Sequence, residues 1–190
     1  GEYRWGAAQG VGNVLYLTVG TGIGGGMLVN GRPLHGLVHP EMGHIRVPHD
    51  LAADPFAGCC PFHGDCLEGL ASGEAIARRW QQRGVLLAGQ TAGDLPPGHP
   101  AWALEAEYLA HALTAFVLTL APERILAGGG VLRRAGLLDR VRSRVPALLA
   151  GYLQHPALTH GIAQFIVPPA LGDNAGVLGA IALAQRAGGA

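Results

Sequence analysis

Residues 18–26 read Thr-Val-Gly-Thr-Gly-Ile-Gly-Gly-Gly, directly after the apolar run Val14-Leu15-Tyr16-Leu17. Gly20, Gly22 and Gly25 fit the G-x-G-x-x-G pattern of dinucleotide sites. That pattern needs its glycines to open a helix, whose N-terminus then holds the pyrophosphate. Here the glycines lead instead into Met27-Leu28-Val29 and the tight-turn pair Asn30-Gly31. This reads as a strand, so the glycine segment is expected to join two strands of a hairpin. No acidic residue about 20 positions on follows a second parallel strand, as a ribose contact would require.

A glycine hairpin can still bind phosphate. Without Cβ atoms, successive backbone N–H groups can point into one concavity and meet an anion. Thr18 and Thr21 add hydroxyl donors. The alternative is a hairpin with a merely flexible turn. Two further clusters favour the cradle: Gly128-Gly129-Gly130 and Gly172-Asp173-Asn174-Ala175-Gly176 each follow a strand signal and precede a helix signal. Three such approaches at strand ends suggest a nucleotide lying across one edge of a sheet.

The remaining pattern alternates. Residues 1–9 read as the tail of a helix stopped by Gly10 and Gly12, and 14–19 as a buried strand. A short strand is expected over 44–47 and a coreless loop over 48–66. Ser72 caps a helix running to about Arg83. Residues 89–100, with two adjacent prolines, read as a polar linker. The clearest helix runs from Trp102 to Leu120, with Leu109, Leu113, Phe116 and Leu120 on one stripe. Trp102 is expected to pack and Glu105 to face water. A strand at 124–127, a helix at 137–149, a strand at 163–167 and a helix at 174–187 complete an α/β chain.

Composition removes several function classes. The 190 residues carry 13 basic and 13 acidic side chains, a balance that argues against nucleic acid or an anionic membrane as partner. Every basic residue is arginine, which excludes Schiff-base chemistry and a Walker A loop. No apolar run approaches the ~18 residues of a membrane span, and Ala112–Ala121 reads as a buried helix. There is no signal-peptide pattern, and a cytoplasmic location is expected.

Three cysteines, Cys59, Cys60 and Cys66, cluster with His63 in Cys60-Pro-Phe-His63-Gly-Asp-Cys66. This spacing lets ligands one tight turn apart share a tetrahedral zinc. The fourth ligand is expected to be His44, with His49 and Cys59 in reserve. The alternatives are incidental cysteines or a strained Cys59–Cys60 disulfide. Zinc would also keep residues 48–66 ordered without a core. If His44 and Cys66 share a metal, Glu41 and Glu68 are drawn to the same neighbourhood. Two carboxylates near an imidazole suit a polyol, whose hydroxyls donate to ionised oxygens. Each glutamate taken alone would more commonly be a solvated surface group.

These segments together resemble the ROK sugar kinases, and within them the bacterial fructokinase branch. The matching stretches are Thr18–Gly26, Leu34-His35-Gly36, His39-Pro-Glu41-Met-Gly-His44, Cys60-Pro-Phe-His63-Gly-Asp-Cys66-Leu-Glu68-Gly69, Ala71-Ser72-Gly73, Gly128–Val131 and Leu171–Gly176. They cover nearly the whole chain in order. The Glu-x-Gly-His motif with the cysteine cluster is highly specific, and Cys-x-x-His-x-x-Cys resembles the fructokinase branch. The resemblance implies the ribonuclease-H-like lobe of the two-lobed, actin-like ATPase fold, here a C-terminal lobe over 1–190 with a zinc loop at about 44–66. It implies transfer of the γ-phosphoryl group of ATP, with Mg²⁺, to a sugar hydroxyl.

By the same resemblance, Thr18, Gly20, Thr21 and Gly22 would cradle phosphates, and Gly129 and Gly130 would lie against the adenosine. Glu41, His44 and Glu68 would bind sugar hydroxyls. His44, Cys60, His63 and Cys66 would hold a structural Zn²⁺. A homodimer is implied. Two departures stand out. Glu74 occupies the position where the family carries Pro, at a helix start where an acidic residue is favourable. The family's catalytic Asp and its first phosphate motif fall before Gly1, so no catalytic base is assigned in this chain. The chain alone is therefore expected to be nearly inactive. Fructose is the expected substrate. Glucose, mannose or N-acetylmannosamine, or the sugar-sensing lobe of a ROK repressor, are the alternatives.

Overall fold

The computed structural model describes residues 1–188. Five strands form one mixed sheet in the order β3-β2-β1-β4-β5: β1 Val14–Val19, β2 Ile23–Val29, β3 Arg32–Pro33, β4 Arg124–Gly128 and β5 Ile166–Val167. β1 pairs antiparallel with β2 and parallel with β4, and β4 pairs parallel with β5. The chain is thus α/β, as expected. The expected hairpin is present. Asn30 (φ 50°) and Gly31 (φ 69°) give the turn its two left-handed residues, the geometry that matches the twist of paired strands.

Alternation along β1 divides the sheet into two faces. Leu15, Leu17 and Val19 are buried in the main core with Ile23, Met27, Ile125 and Ala127. Val14 and Leu126 face the other way, into a smaller cluster with Ala8. The helices are α1 Glu2–Trp5, α2 Leu67–Ala71, α3 Gly73–Gln82, α4 Ala101–Leu120, α5 Leu137–Leu149, α6 Pro156–Thr159, α7 Ile162–Phe165 and α8 Ala175–Ala187. α4 and α5 pack together against the main core face. The predicted stripe holds for Leu109, Leu113 and Phe116, while Leu120 is half-buried. α4 is long and apolar enough to cross a membrane by length and composition alone, and it is largely buried in the core. Ser72 caps α3 as expected, its Oγ accepting from Ala75 N–H at 3.1 Å.

The structure differs from the sequence reading at four places. Residues 44–47 form no strand: Met42–His44 is a 3-10 turn, followed by a single bridge between Arg46 and Cys66. Residues 162–165 coil as α7, so the last strand is only Ile166–Val167. The 89–100 stretch is more than a linker. It contains the capped turn Ala92–Asp94, and Ala92 and Leu95 enter the core. Glu105 does not face water but is 1% exposed.

Candidate active site

The turn Gly20-Thr21-Gly22 closes on itself, Gly20 N–H donating to Gly22 O at 2.9 Å. It docks on the start of α3, where Gly73 N–H donates to Gly20 O at 2.7 Å. The second contact comes from α2. Glu68 Oε2 accepts from Ile23 N–H at 2.8 Å, and a Cβ on Gly22 would lie 2.7 Å from that oxygen. Glycine at 22 thus lets a carboxylate reach the hairpin backbone.

A cavity of about 720 Å³ opens between this turn, α3 and the turn after β4. Such a volume lies in the range of small-molecule pockets. Thr21, Ala77, Gln81, Thr91, Gly130 and Arg134 are among its walls. Of the residues expected to hold nucleotide, Thr21 and Gly130 come together here. Thr18 and Gly129 line a second cavity of about 760 Å³ on the opposite side, with Tyr16 and Asp173. Gly20 and Gly22 line neither cavity. Gly129 has φ +97° and a Cβ there would fall 2.3 Å from Val19 O, so its role is to let β4 turn against the end of β1. The walls from α3 and from 89–93 escaped the sequence reading. α3 carries polar residues on one face, a signal more often read as a solvated surface.

The cysteine–histidine cluster assembles. One ligand atom from each of His44, Cys60, His63 and Cys66 lies within 4.8 Å of every other. His44 Nδ1 is 3.5 Å from Cys66 Sγ and 3.8 Å from Cys60 Sγ, and His63 Nδ1 is 3.6 Å from Cys60 Sγ. A tetrahedron with zinc bonds of about 2.0–2.3 Å has edges of roughly 3.3–3.8 Å. Three of the six edges of the quartet, at 3.5, 3.6 and 3.8 Å, are those of a zinc-sized site. Cys59 and His49 stand outside it, and all three cysteines are free. Burial pushes the Cys66 thiol up. Burial acts the same way on Cys60, but the His63 and Phe62 backbone N–H groups and the Cys66 thiol together outweigh it and bring that thiol down, towards the ligand form.

With Nδ1 facing the sulfurs, His44 turns Nε2 towards Glu68, 4.0 Å from Oε1. The structure thus brings His44 and Glu68 together beside the hairpin. Glu41 is 60% exposed at its side chain and pairs with His39 Nε2 at 2.7 Å.

Residues 1–187 match the ROK family. The chain belongs to the ROK family. A relative from Bacillus subtilis (strain 168) is 45% identical over 190 residues, covering 98% of this chain and 60% of its own length. The fructokinase of Zymomonas mobilis subsp. mobilis (strain ATCC 31821 / ZM4 / CP4) is 44% identical over 191 residues, covering 98% of this chain and 58% of its own length. Among solved structures, a ROK glucokinase from Streptomyces griseus in complex with glucose and AMPPNP is 28% identical with a TM-score of 0.75, covering 97% of this chain and 64% of its own. The ROK chain here thus spans about 60% of the length of these curated relatives. Its fold is that of the ROK sugar kinases, the actin-like ATPase fold.

Proposed function

We propose that this chain supplies the nucleotide- and sugar-binding half of an ATP-dependent hexose kinase, acting on D-fructose to give fructose 6-phosphate. One observation carries the reading. The two oxygens of Glu68 face the glycine hairpin on one side and His44 on the other, at 2.8 Å and 4.0 Å. A sugar hydroxyl accepted by that carboxylate stands beside the phosphate cradle. Phosphoryl transfer asks chiefly for such positioning and for donors aimed at the phosphate oxygens. The Thr21 hydroxyl and the Thr21 and Gly22 N–H groups are the donors, since Gly20 N–H and Ile23 N–H are already bonded, and the cavity lined by Gly130 takes the adenosine. The similarity to fructokinases supports fructose. The glucose-bound glucokinase favours glucose as the second reading.

Zn²⁺ would be held by His44 and His63 through Nδ1 and by Cys60 and Cys66, a closed structural set that shapes the sugar side without joining the chemistry. Among the described residues this quartet is the one group of three or more ligand side chains. Mg²⁺ would be bound chiefly through the ATP phosphates and water, as such ions usually are. No residue of this chain is assigned as the base that takes the acceptor proton, and Glu41, paired with His39 here, would join the hydroxyl contacts when sugar is bound. The whole enzyme works in the cytoplasm as a homodimer. The test is ADP release by the full-length protein with Mg-ATP and fructose, glucose, mannose or N-acetylmannosamine in turn. Fructose is expected to lead by at least about tenfold in kcat/KM, a gap of one RT ln 10 in transition-state binding. No turnover on any sugar would sink the kinase reading, and a lead for glucose would move the assignment to a glucokinase.

A further inference from the structure

The ligand-bearing loop 48–66 places few apolar side chains in the main core, Phe56 being the largest that is fully inside. It also carries a buried carboxylate. Asp54 is 1% exposed. It accepts from Arg79 Nε at 3.0 Å, Arg83 Nη2 at 2.9 Å and Tyr108 Oη at 2.8 Å. Arg79 is itself buried, donates to Leu70 O at 2.8 Å and lies over the Phe56 ring. The chain of contacts continues towards the ligands. The His49 side chain is 4% exposed, with Nε2 2.9 Å from Asp54 O and Nδ1 3.4 Å from Asp65 Oδ2. Asp65 pairs with Arg46 and directly precedes Cys66.

A carboxylate taken fully out of water is costly unless its partners are well placed, and losing one partner leaves an uncompensated charge. Convergence of two guanidinium groups and a phenol on one loop carboxylate therefore fixes that loop tightly. We propose that Asp54 is a positioning residue that anchors the ligand loop on α3 and α4 and, through His49 and Asp65, sets where Cys66 stands relative to His44. The second part rests on the quartet being a metal site. The anchor reaches further, because Arg79 in the C-terminal half of α3 and Arg83 at its C-cap belong to the helix whose Ala77, Arg78 and Gln81 line the nucleotide cavity. One helix thus carries both the nucleotide wall and the fastening of the sugar-side loop.

The rival account is that metal alone orders the loop. Cobalt(II) separates the two, since its visible spectrum reports tetrahedral thiolate coordination. In the full-length protein, Asp54→Asn and Asp65→Ala are each expected to lower cobalt affinity against a competing chelator by about 10–100-fold, the usual effect of losing an outer-shell partner, with altered ligand-field bands. With metal stripped by chelator, the wild-type loop stays resistant to limited proteolysis and the Asp54→Asn loop is cut. If Asp54→Asn does not fold, Asp65→Ala at its half-exposed position carries the cobalt measurement. Wild-type cobalt affinity and spectrum in the variants, or cleavage of the wild-type loop as soon as metal is removed, overturns the anchor. A wild-type protein that takes up no cobalt yet keeps its loop protected contradicts the metal site and leaves the anchor standing.

Discussion

Glu105 shows how far one residue can depart from its usual fate. It lies on α4 between Trp102 and Tyr108, 1% exposed, and neither carboxylate oxygen has a hydrogen-bond partner. Burial drives its pKa well above the ordinary carboxylate value, against the pull of the Arg79 charge. The sign follows by linkage. The folded chain keeps a proton that the unfolded chain loses at about pH 4.3, where a glutamate ordinarily ionises, so stability falls as pH rises from there towards the folded pKa. Replacing the carboxyl by Glu105→Met is expected to stabilise the protein by about 1–3 kcal/mol at pH 7, the cost of an unsatisfied buried polar group. The gain should shrink as pH falls towards about 4. Urea unfolding of both proteins at the two pH values checks this, and an equal gain at both would show that no buried proton is involved. The cysteines give a second residue-scale prediction. Cys60→Ser or Cys66→Ser should each drop the zinc content of purified protein well below about one equivalent, because a thiolate contributes a full ligand. Elemental analysis that still finds a full equivalent in both variants contradicts the assigned quartet.

At the scale of elements, the turn after β4 is the most constrained piece of the nucleotide side. Gly129→Ala puts an L side chain at φ +97° and a methyl 2.3 Å from Val19 O. Strain of that kind costs about 1–3 kcal/mol before the collision is relieved. The expected outcome is a lower melting temperature together with weaker ADP binding by titration calorimetry, since relief means moving the ends of β1 and β4 apart. Unchanged binding would mean that Gly129 serves packing alone. The elements that the sequence disclosed have local causes. β1 and β2 are apolar and flanked by glycine, Asn30-Gly31 dictates its own turn, Ser72 caps α3, and α4 has its stripe. The elements that escaped depend on distant partners. β3 is only Arg32–Pro33, and proline argues against a strand except at an edge, where β3 lies. The 44–47 segment, expected as a strand, makes a single bridge, between Arg46 and Cys66 of the ligand loop.

At the scale of the whole molecule, the glycine turns after β1 and β4 share one edge of the sheet, the carboxyl ends of two parallel strands. Ligands of open α/β sheets bind outside those ends. The glycine clusters made this edge legible, and the ligand spacing made the quartet legible. The cavity walls from α3 and 89–93 were not, since nothing local marks a polar helix face as the side of a pocket. Nor was the Asp54 anchor, whose side-chain partners come from two distant segments, α3 with its C-cap and α4. The central claim is that Glu68 joins the phosphate cradle to the sugar. Glu68→Gln in the full-length protein keeps the side chain's shape and removes its charge. Steady-state kinetics should show kcat/KM for fructose lowered about 10–100-fold, the worth of a hydrogen bond to a charged group, with the KM for ATP nearly unchanged. An unaltered kcat/KM for fructose, or a loss confined to ATP, would contradict the account.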